Sequence, residues 1–357
     1  MEDKNVKNPA RSPTHEWYRD WSALPSGPLQ NIAGSLNTIS HRRLRQVWSS
    51  WRASTPKRPR CPLLITTSPT EAYGFYDIDL EEWNPLPSNY PTDLQSHGTR
   101  YAGCSFGWLA LAKEEPVLGK VTISLVNPFT FARVELSELT GMCLFGGHFL
   151  LSGSPANLLQ PPMVLYHNFY PRELKFQQVG DKEWKTIKHS PSSLKEVIAC
   201  NGRFYSFDSS NALYSVDLQA NNGNGAVVQL LLDLPDIFSS VPPPRWKFLA
   251  DFSGDLVVMC SDHIERQLFL KMDLENDRLV LMPNMADSLL FQCESCSFFV
   301  PGDHRSLQFK QDGRHIVHTG NPNNMIIIYS QYWKHPDPKI SWRAFPLGWI
   351  KPDLNKS

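Results

Sequence analysis

The residues that could do chemistry fall in two places. Gly103-Cys104-Ser105-Phe106-Gly107 fits Gly-x-Ser-x-Gly, the pattern in which a serine on a sharp strand-to-helix turn stands above an α/β-hydrolase sheet as a nucleophile. That geometry needs a long helix directly after the serine. Here Pro116 interrupts the stretch that follows Trp108, and no alternation of strands and helices surrounds it. A turn between strands is the simpler reading, with a hydrolase using Ser105 as the competing one. Cys293-x-x-Cys296 followed by His315-x-x-His318 offers two thiolates and two imidazoles, a set that suits tetrahedral zinc. The histidines are one residue closer than in the usual finger and the intervening segment is longer, so Cys293 and Cys296 are read as part of a strand edge. No Gly-rich run leads into Lys-Ser or Lys-Thr, and 221–225 reads as a flexible turn. The acids are dispersed over turns, so no carboxylate pair stands ready for general acid and base work. The expectation is no catalytic residue, no cofactor and no metal, which leaves binding.

The elements that must position a binding surface differ sharply along the chain. Between Trp21 and Arg52, Leu29, Ile32, Ala33 and Leu36 recur at i, i+3, i+4 and i+7, and Leu44, Val47, Trp48 and Trp51 repeat the spacing. Each set gathers on one face of a helix. Pro28 suits the first turn of the first helix, Ser40 is the predicted N-cap of the second, and Thr55-Pro56 ends it. Two such short helices cannot bury both apolar faces alone, so a partner is expected.

From Leu63 onward the helical spacing disappears. Short apolar bursts alternate with Gly, Asn, Asp and Pro, and the 29 prolines of the chain suit loops rather than long helices. A unit recurs: an apolar strand ending in Asp or Asn, a polar turn, and a further strand. Its instances lie around Asp79, Asn127, Asp181, Asp217 and Asp273, with a last one reaching Trp342. The period is about 50 residues, in the kelch range. Asn201-Gly202 and Ser253-Gly254 carry residues that tolerate positive φ in hairpins. Trp83, Trp108, Trp184, Trp246, Trp342 and Trp349 are read as sheet core or closure. Stacked radially, such sheets protect one another's faces and edges, which predicts a six- or seven-bladed β-propeller.

Composition narrows the function. The chain has 357 residues, is 41% hydrophobic and carries zero formal net charge, so it is globular and has no global field to recruit nucleic acid or an anionic membrane. A local basic run, Arg42, Arg43, Arg45, Arg52, Lys57, Arg58 and Arg60, is read as a solvated helix face entering a linker. The N-terminal residues are polar and lack a signal-type apolar core, and no apolar run is long enough to span a bilayer. Seven scattered cysteines fit a reducing compartment, so cytoplasm, nucleus or both are expected.

Two resemblances follow from these residues. Trp21-x-x-Leu24-Pro25, Leu29-x-x-Ile32-x-x-x-Leu36, Leu44-x-x-Val47 and Trp51-Arg52 resemble an F-box, the helical module that docks on the Skp-type adaptor of cullin ubiquitin ligases. Tyr101-x-Gly103-Cys104-Ser105-x-Gly107-Trp108-Leu109, Leu125-x-Asn127-Pro128-x-Thr130, Val179-Gly180-Asp181-x-x-Trp184, Asn201-Gly202-x-Phe204-Tyr205-x-x-Asp208 and Asp251-x-Ser253-Gly254-x-Leu256 resemble the plant F-box proteins with a KIB-type β-propeller. The resemblance implies a disordered lead over 1–18, an F-box over 19–54, a linker over 55–62, a kelch-like propeller over 63–350 and a tail over 351–357. It also implies that Leu24, Pro25, Leu29, Ile32, Leu36, Leu44, Val47, Trp51 and Arg52 form or support the adaptor-binding surface, with cullin reached through the adaptor and a protein target on the propeller. The implied role is the non-catalytic, substrate-recognition subunit of a Skp-cullin-F-box ligase. Family members usually carry an acid shortly after the Leu-Pro, where this chain has Ser26-Gly27-Pro28. That departure keeps a second reading open, a propeller interaction module whose F-box has decayed.

Overall fold

The computed structural model describes residues 20–36, 38–55, 63–67, 73–77, 82–85, 99–115, 117, 119–140, 147–157, 159–169, 172–187, 194–218, 226–233, 247–261, 267–282, 288–292, 297–301, 316–320, 325–329, 333–334, 343–344 and 346–350. The lead over 1–18, most of the linker and the tail over 351–357 lie outside them. The chain divides into two compact units, Met1–Arg58 and Pro59–Ser357.

The first unit is helical. A 3-10 turn, Trp21–Ala23, is capped by the Asp20 carboxylate, which accepts from the Ser22 amide at 3.0 Å. Helix α1 (Ser26–Ser35) follows. Its first regular hydrogen bond runs from the Leu29 amide to the Pro25 carbonyl, so Pro28 costs nothing by lacking a donor. Leu29 and Ala33 are buried. The second helix departs from expectation in two ways. It begins at Thr38 rather than after Ser40, and it is split into α2 (Thr38–Val47) and α3 (Ser49–Ser54) by an extended Trp48, φ −139° and ψ 149°. Val47, Trp48, Ser49 and Ser50 are all modest helix formers, and the break lets α3 fold back on α2. The Arg45 guanidinium then donates to the carbonyl and hydroxyl of Thr55, and Arg52 Nε donates to the Arg45 carbonyl at 3.2 Å.

The second unit is built of mainly antiparallel sheets, with parallel pairings of two strand pairs, Asp251 opposite Phe298 and Leu289–Gln292 opposite Ile326–Tyr329, in the largest one. In chain order the strands are β1 (Leu63–Thr67), β2 (Tyr73–Asp77) and β3 (Glu82–Pro85); β4 (Thr99–Ser105), β5 (Trp108–Glu115), β6 (Lys120–Val126), β7 (Arg133–Glu135) and β8 (Leu139–Thr140); β9 (Gly147–Leu151), β10 (Met163–Phe169), β11 (Arg172–Gln178) and β12 (Lys185–Thr186); and β13 (Val197–Cys200), β14 (Arg203–Phe207), β15 (Ala212–Asp217) and β16 (Val227–Asp233). Then come β17 (Lys247–Phe252), β18 (Asp255–Ser261), β19 (Gln267–Asp273) and β20 (Arg278–Leu281), the hairpins β21 (Ser288–Gln292) with β22 (Ser297–Pro301) and β23 (Ile316–Gly320) with β24 (Met325–Tyr329), the short pair β25 (Trp333–Lys334) and β26 (Arg343–Ala344), and finally β27 (Pro346–Ile350). Four strands in simple up-and-down order recur as β9–β12 and β13–β16, as β4–β7 in a sheet to which β8 adds by pairing with β6, and as β17–β20 inside a larger sheet. Their first strands begin at Thr99, Gly147, Val197 and Lys247, about 50 residues apart, as a repeat architecture requires. β27 pairs with β1, completing the four-stranded order β27-β1-β2-β3 from the two ends of the unit. The expected blade count of six or seven rests partly on 302–315, outside the described residues.

Alternate residues of each strand serve opposite neighbours, which is the period of 2 put to use. Phe149, Leu151, Val164 and Tyr166 pack against Ala102, Trp108, Ala110 and Ile123 of the preceding sheet. Leu150, Met163, Leu165 and Phe176 face the other way, against Val197, Phe204 and Val216 of the next. Ile198, Cys200 and Tyr205 then meet Leu249, Val258 and Cys260, and the opposite face of that sheet, Ala250 and Val257, meets Leu290 and Phe299. Both faces of an interior sheet are thus dry, and each fully buried Val, Leu or Phe contributes about 1.5–3 kcal/mol. The outer strands β12, β16 and β20 are mostly exposed. Among the expected sheet tryptophans, Trp108 is buried and Trp184 packs against its seam while donating to the Ser137 carbonyl at 2.8 Å. Trp246 and Trp342 lie outside the described residues.

Gly103 sits at a bulge in β4, φ +144°, and a Cβ there would run into the Phe149 backbone carbonyl of the next sheet. Gly103→Ala is expected to lower stability to urea by about 1–3 kcal/mol, whereas Gly153→Ala, whose Cβ meets nothing closer than 3.7 Å, should leave the urea midpoint unchanged.

Candidate functional site

Ser105 closes β4, and Phe106-Gly107 turns the chain directly into β5. A strand follows where a nucleophile elbow needs a helix, and Ser105 Oγ accepts from the Leu151 amide of the neighbouring sheet at 3.3 Å. The pentapeptide is a hairpin turn. Of the zinc pattern, Cys293, Cys296 and His315 lie outside the described residues, while His318 is in β23 opposite Ile327. Among the described residues no group of three or more metal-ligating side chains forms.

The turns themselves are the built feature. Phe106-Gly107, Asn201-Gly202 and Ser253-Gly254 each place two residues at positive φ, 51° and 77°, 47° and 79°, 56° and 96°. Two left-handed residues make the turn whose twist matches a β-hairpin. The turns adjoin one another from sheet to sheet. Ser105 touches Leu151, a Cβ on Gly202 would lie 4.0 Å from the Ser152 carbonyl, and Cys200 Sγ donates to the Gly254 carbonyl at 3.4 Å. Asx side chains stiffen the surrounding loops. Asn127 Oδ1 accepts from the amides of Phe129 and Thr130, and Asp251 Oδ1 accepts from the Gly254 amide at 2.8 Å. Asp208 accepts from the amides of Ser210 and Ala212, the Ser210 hydroxyl and the Tyr214 hydroxyl. Burial works to raise its carboxyl, but those hydrogen bonds hold it below the ordinary carboxylate value. Burial, reinforced by Asp251, pushes the Cys200 thiol up, so it is an inert core group rather than a nucleophile.

At the opposite end of the sheets, His148 and His167 stand in register on β9 and β10. His167 is buried with Nε2 3.2 Å from the Leu194 carbonyl at the start of the next sheet. Burial, with His148 adding repulsion, pushes its imidazole down to about 4, although the carbonyl acts the other way.

In the helical unit the nine residues expected at the adaptor surface separate. Leu29 is wholly buried; Leu24, Leu36, Leu44 and Trp51 are half-buried; Pro25, Ile32, Val47 and Arg52 are exposed. Trp51 Nε1 donates to the Trp21 carbonyl at 2.9 Å, and Arg52 caps α2. These two brace the unit from within. Ile32, at 44%, and Val47, at 52%, remain exposed, and so do Trp21 and Trp48, which are not among the nine residues expected at the adaptor surface. The signal for Trp48 was present in the sequence, since the helical spacing puts it on the apolar face with Leu44, Val47 and Trp51.

The His167 shift sets a pH dependence. A group whose folded pKa lies below its unfolded value of about 6.5 contributes fully above that pH, and the contribution is lost as pH falls toward 4, by up to about 3 kcal/mol. His167→Gln should flatten the fall of the urea midpoint between pH 6.5 and 4. Trp51→Phe, which removes the bond to Trp21, is expected to destabilise the helical unit by about 1 kcal/mol, read as a loss of helical signal at lower temperature.

F-box protein At5g55150 of Arabidopsis thaliana, a name given provisionally, is 35% identical over 60 residues, 17% of this chain and 16% of that protein. The alignment thus spans less than a fifth of that relative. TolB from Acinetobacter baumannii is similar over 83% of this chain and 66% of its own, at 12% identity and a TM-score of 0.39. The fission yeast SREBP-SCAP binding domains are similar over 76% and 78%, at 10% identity and a TM-score of 0.31. At those scores neither structural likeness carries an argument. The family model described as the KIB1-4 beta-propeller matches residues 75–329, well over half of the sequence, and the chain belongs to that family.

Proposed function

We propose that this protein is the substrate-recognition subunit of a Skp-cullin-F-box ubiquitin ligase, with residues 20–55 docking a Skp-type adaptor and the propeller holding a protein target. The observation that carries the reading is the helical unit's unspent apolar surface. Leu29 and Ala33 fill its interior, while Ile32, Val47, Trp21 and Trp48 stay exposed. The F-box protein similarity and the β-propeller family support an F-box-type interaction role. The chain makes no covalent bond in this role. It raises the effective concentration of a target beside the ubiquitin-transfer machinery. Among the described residues no helix is long and apolar enough to cross a membrane, and the site of action we propose is cytoplasm, nucleus or both.

One observation favours the second reading. Helix α1 has no acid in its first turn and no side-chain cap, so its start lacks the acid expected of an F-box, and a propeller module acting without a ligase fits that feature.

Co-expression with a plant Skp-type adaptor separates the two. A one-to-one complex should survive gel filtration, and Ile32→Asp with Val47→Asp should weaken it at least about tenfold, since buried interface anchors each contribute more than about 1 kcal/mol. Both positions are exposed, so the pair should leave the melting temperature unchanged. Absence of a complex with folded wild-type protein would refute the ligase reading.

A further inference from the structure

The end of the sheets that carries the first-to-second-strand turns has three properties that belong together. The first is continuity. The Phe106-Gly107 turn, the 152–162 loop, the Asn201-Gly202 turn and the Ser253-Gly254 turn touch in sequence through Ser105 and Leu151, Ser152 and Gly202, and Cys200 and Gly254. The second is charge. None of these four connections contains Lys, Arg, Asp or Glu, nor does the neighbouring 127–132 turn. Asp251, at the foot of one turn, is engaged by the Gly254 amide and the Cys200 thiol. Charge returns on two of the four third-to-fourth-strand turns, which emerge at the same end farther out, with exposed Asp181, Lys182 and Glu183 in one and Glu275 and Asp277 in the other, while the sequences 127–132 and 218–226 carry none. An uncharged centre with charge confined to its periphery matches the anatomy of a protein interface, whose core is depleted of charged residues.

The third property is a residue in the wrong place for stability. Where equivalent turns put Asn201 and Ser253 in the left-handed region, this one puts Phe106, φ 51° and 41% exposed. A bulky aromatic there is a conformational outlier, and such strain collects at ligand-contacting positions. On the adjoining 152–162 loop Leu159 is 96% exposed. Both side chains thus present apolar surface to solvent.

We propose that this end is the docking surface for the target, and that it takes an uncharged, extended segment carrying an aromatic or large aliphatic side chain, anchored between Phe106 and Leu159. The proposal rests on the reading of the propeller as the target-holding part. Absence of charge from four contiguous connections and the neighbouring 127–132 turn gives nothing for an acidic or basic segment to pair with, while an exposed ring and an exposed leucine reward apolar contact.

The test is selection of a displayed random dodecapeptide library on the full chain, followed by affinity measurement with one synthetic selected peptide. Selected sequences should lack Asp, Glu, Lys and Arg, and Phe106→Asn and Leu159→Ser should each weaken binding tenfold or more. Asn tolerates the left-handed region, so Phe106→Asn should raise the melting temperature while binding is lost, a pairing that a purely structural role for Phe106 does not produce. Charged selected sequences, no enrichment, or affinities within twofold of wild type in both variants would overturn the proposal. So would a wild-type dimer that Phe106→Asn dissociates, which would make a second copy the occupant. The adaptor complex, assayed on the same samples, separates the two readings: adaptor binding without peptide binding removes this surface alone, and peptide binding without adaptor binding removes the ligase reading alone.

Discussion

A four-stranded sheet that is apolar on both faces cannot stand alone in water, and every other feature of the larger unit follows from that constraint. Phe149 and Leu150 are consecutive, point to opposite sides and are both buried, so the sheet carrying them needs a neighbour on each side. The neighbours have the same need. Hydrophobic burial thus spreads from sheet to sheet, and the molecule meets water through its outer strands and its turns. The polar groups kept inside answer to the same arrangement. The Leu194 carbonyl that faces His167 and the thiol that Cys200 turns to Asp251 both lie across a seam between sheets, so they fix how one sheet sits on the next rather than how a single sheet folds.

Much of this was legible before any coordinates. The period of about 50 residues, the strands ending in Asn127 and Asp273, and the hairpins at Asn201-Gly202 and Ser253-Gly254 all depend on local chemistry, and local chemistry is what a sequence displays. The split of the second helix at Trp48 was hidden because its cause is tertiary: Arg45 and Arg52 find carbonyl partners only once α3 has folded back. The roles of Trp51 and Arg52 were hidden for the same reason. Spacing puts a residue on a face without saying what that face meets. The Gly-x-Ser-x-Gly pattern was legible as a turn because no helix follows it, and its two glycines serve a bulge against Phe149 and a hairpin turn, needs that a hydrolase pattern shares by coincidence.

The two units offer apolar surface in chemically different ways. In the helical unit exposed apolar residues sit on regular helices, where neighbours on the same helix fix their direction. In the larger unit the uncharged surface is carried by turns, which the seams hold but whose side chains are free to vary without disturbing the core. A change of side chain on a turn therefore alters that surface at little cost to the core, whereas a change on the helices alters the elements themselves.

The pairing of β27 with β1 gives synthesis a timetable. β1 leaves the ribosome early, yet its partner at Pro346–Ile350 is made roughly 280 residues later, which at about 5–20 residues per second is on the order of 15–60 s. Throughout that interval an edge of Leu63, Leu64 and Ile65 has no native strand to pair with. The nascent chain therefore exposes an aggregation-prone edge throughout those seconds, and mistakes in the last strand of the unit damage its first one.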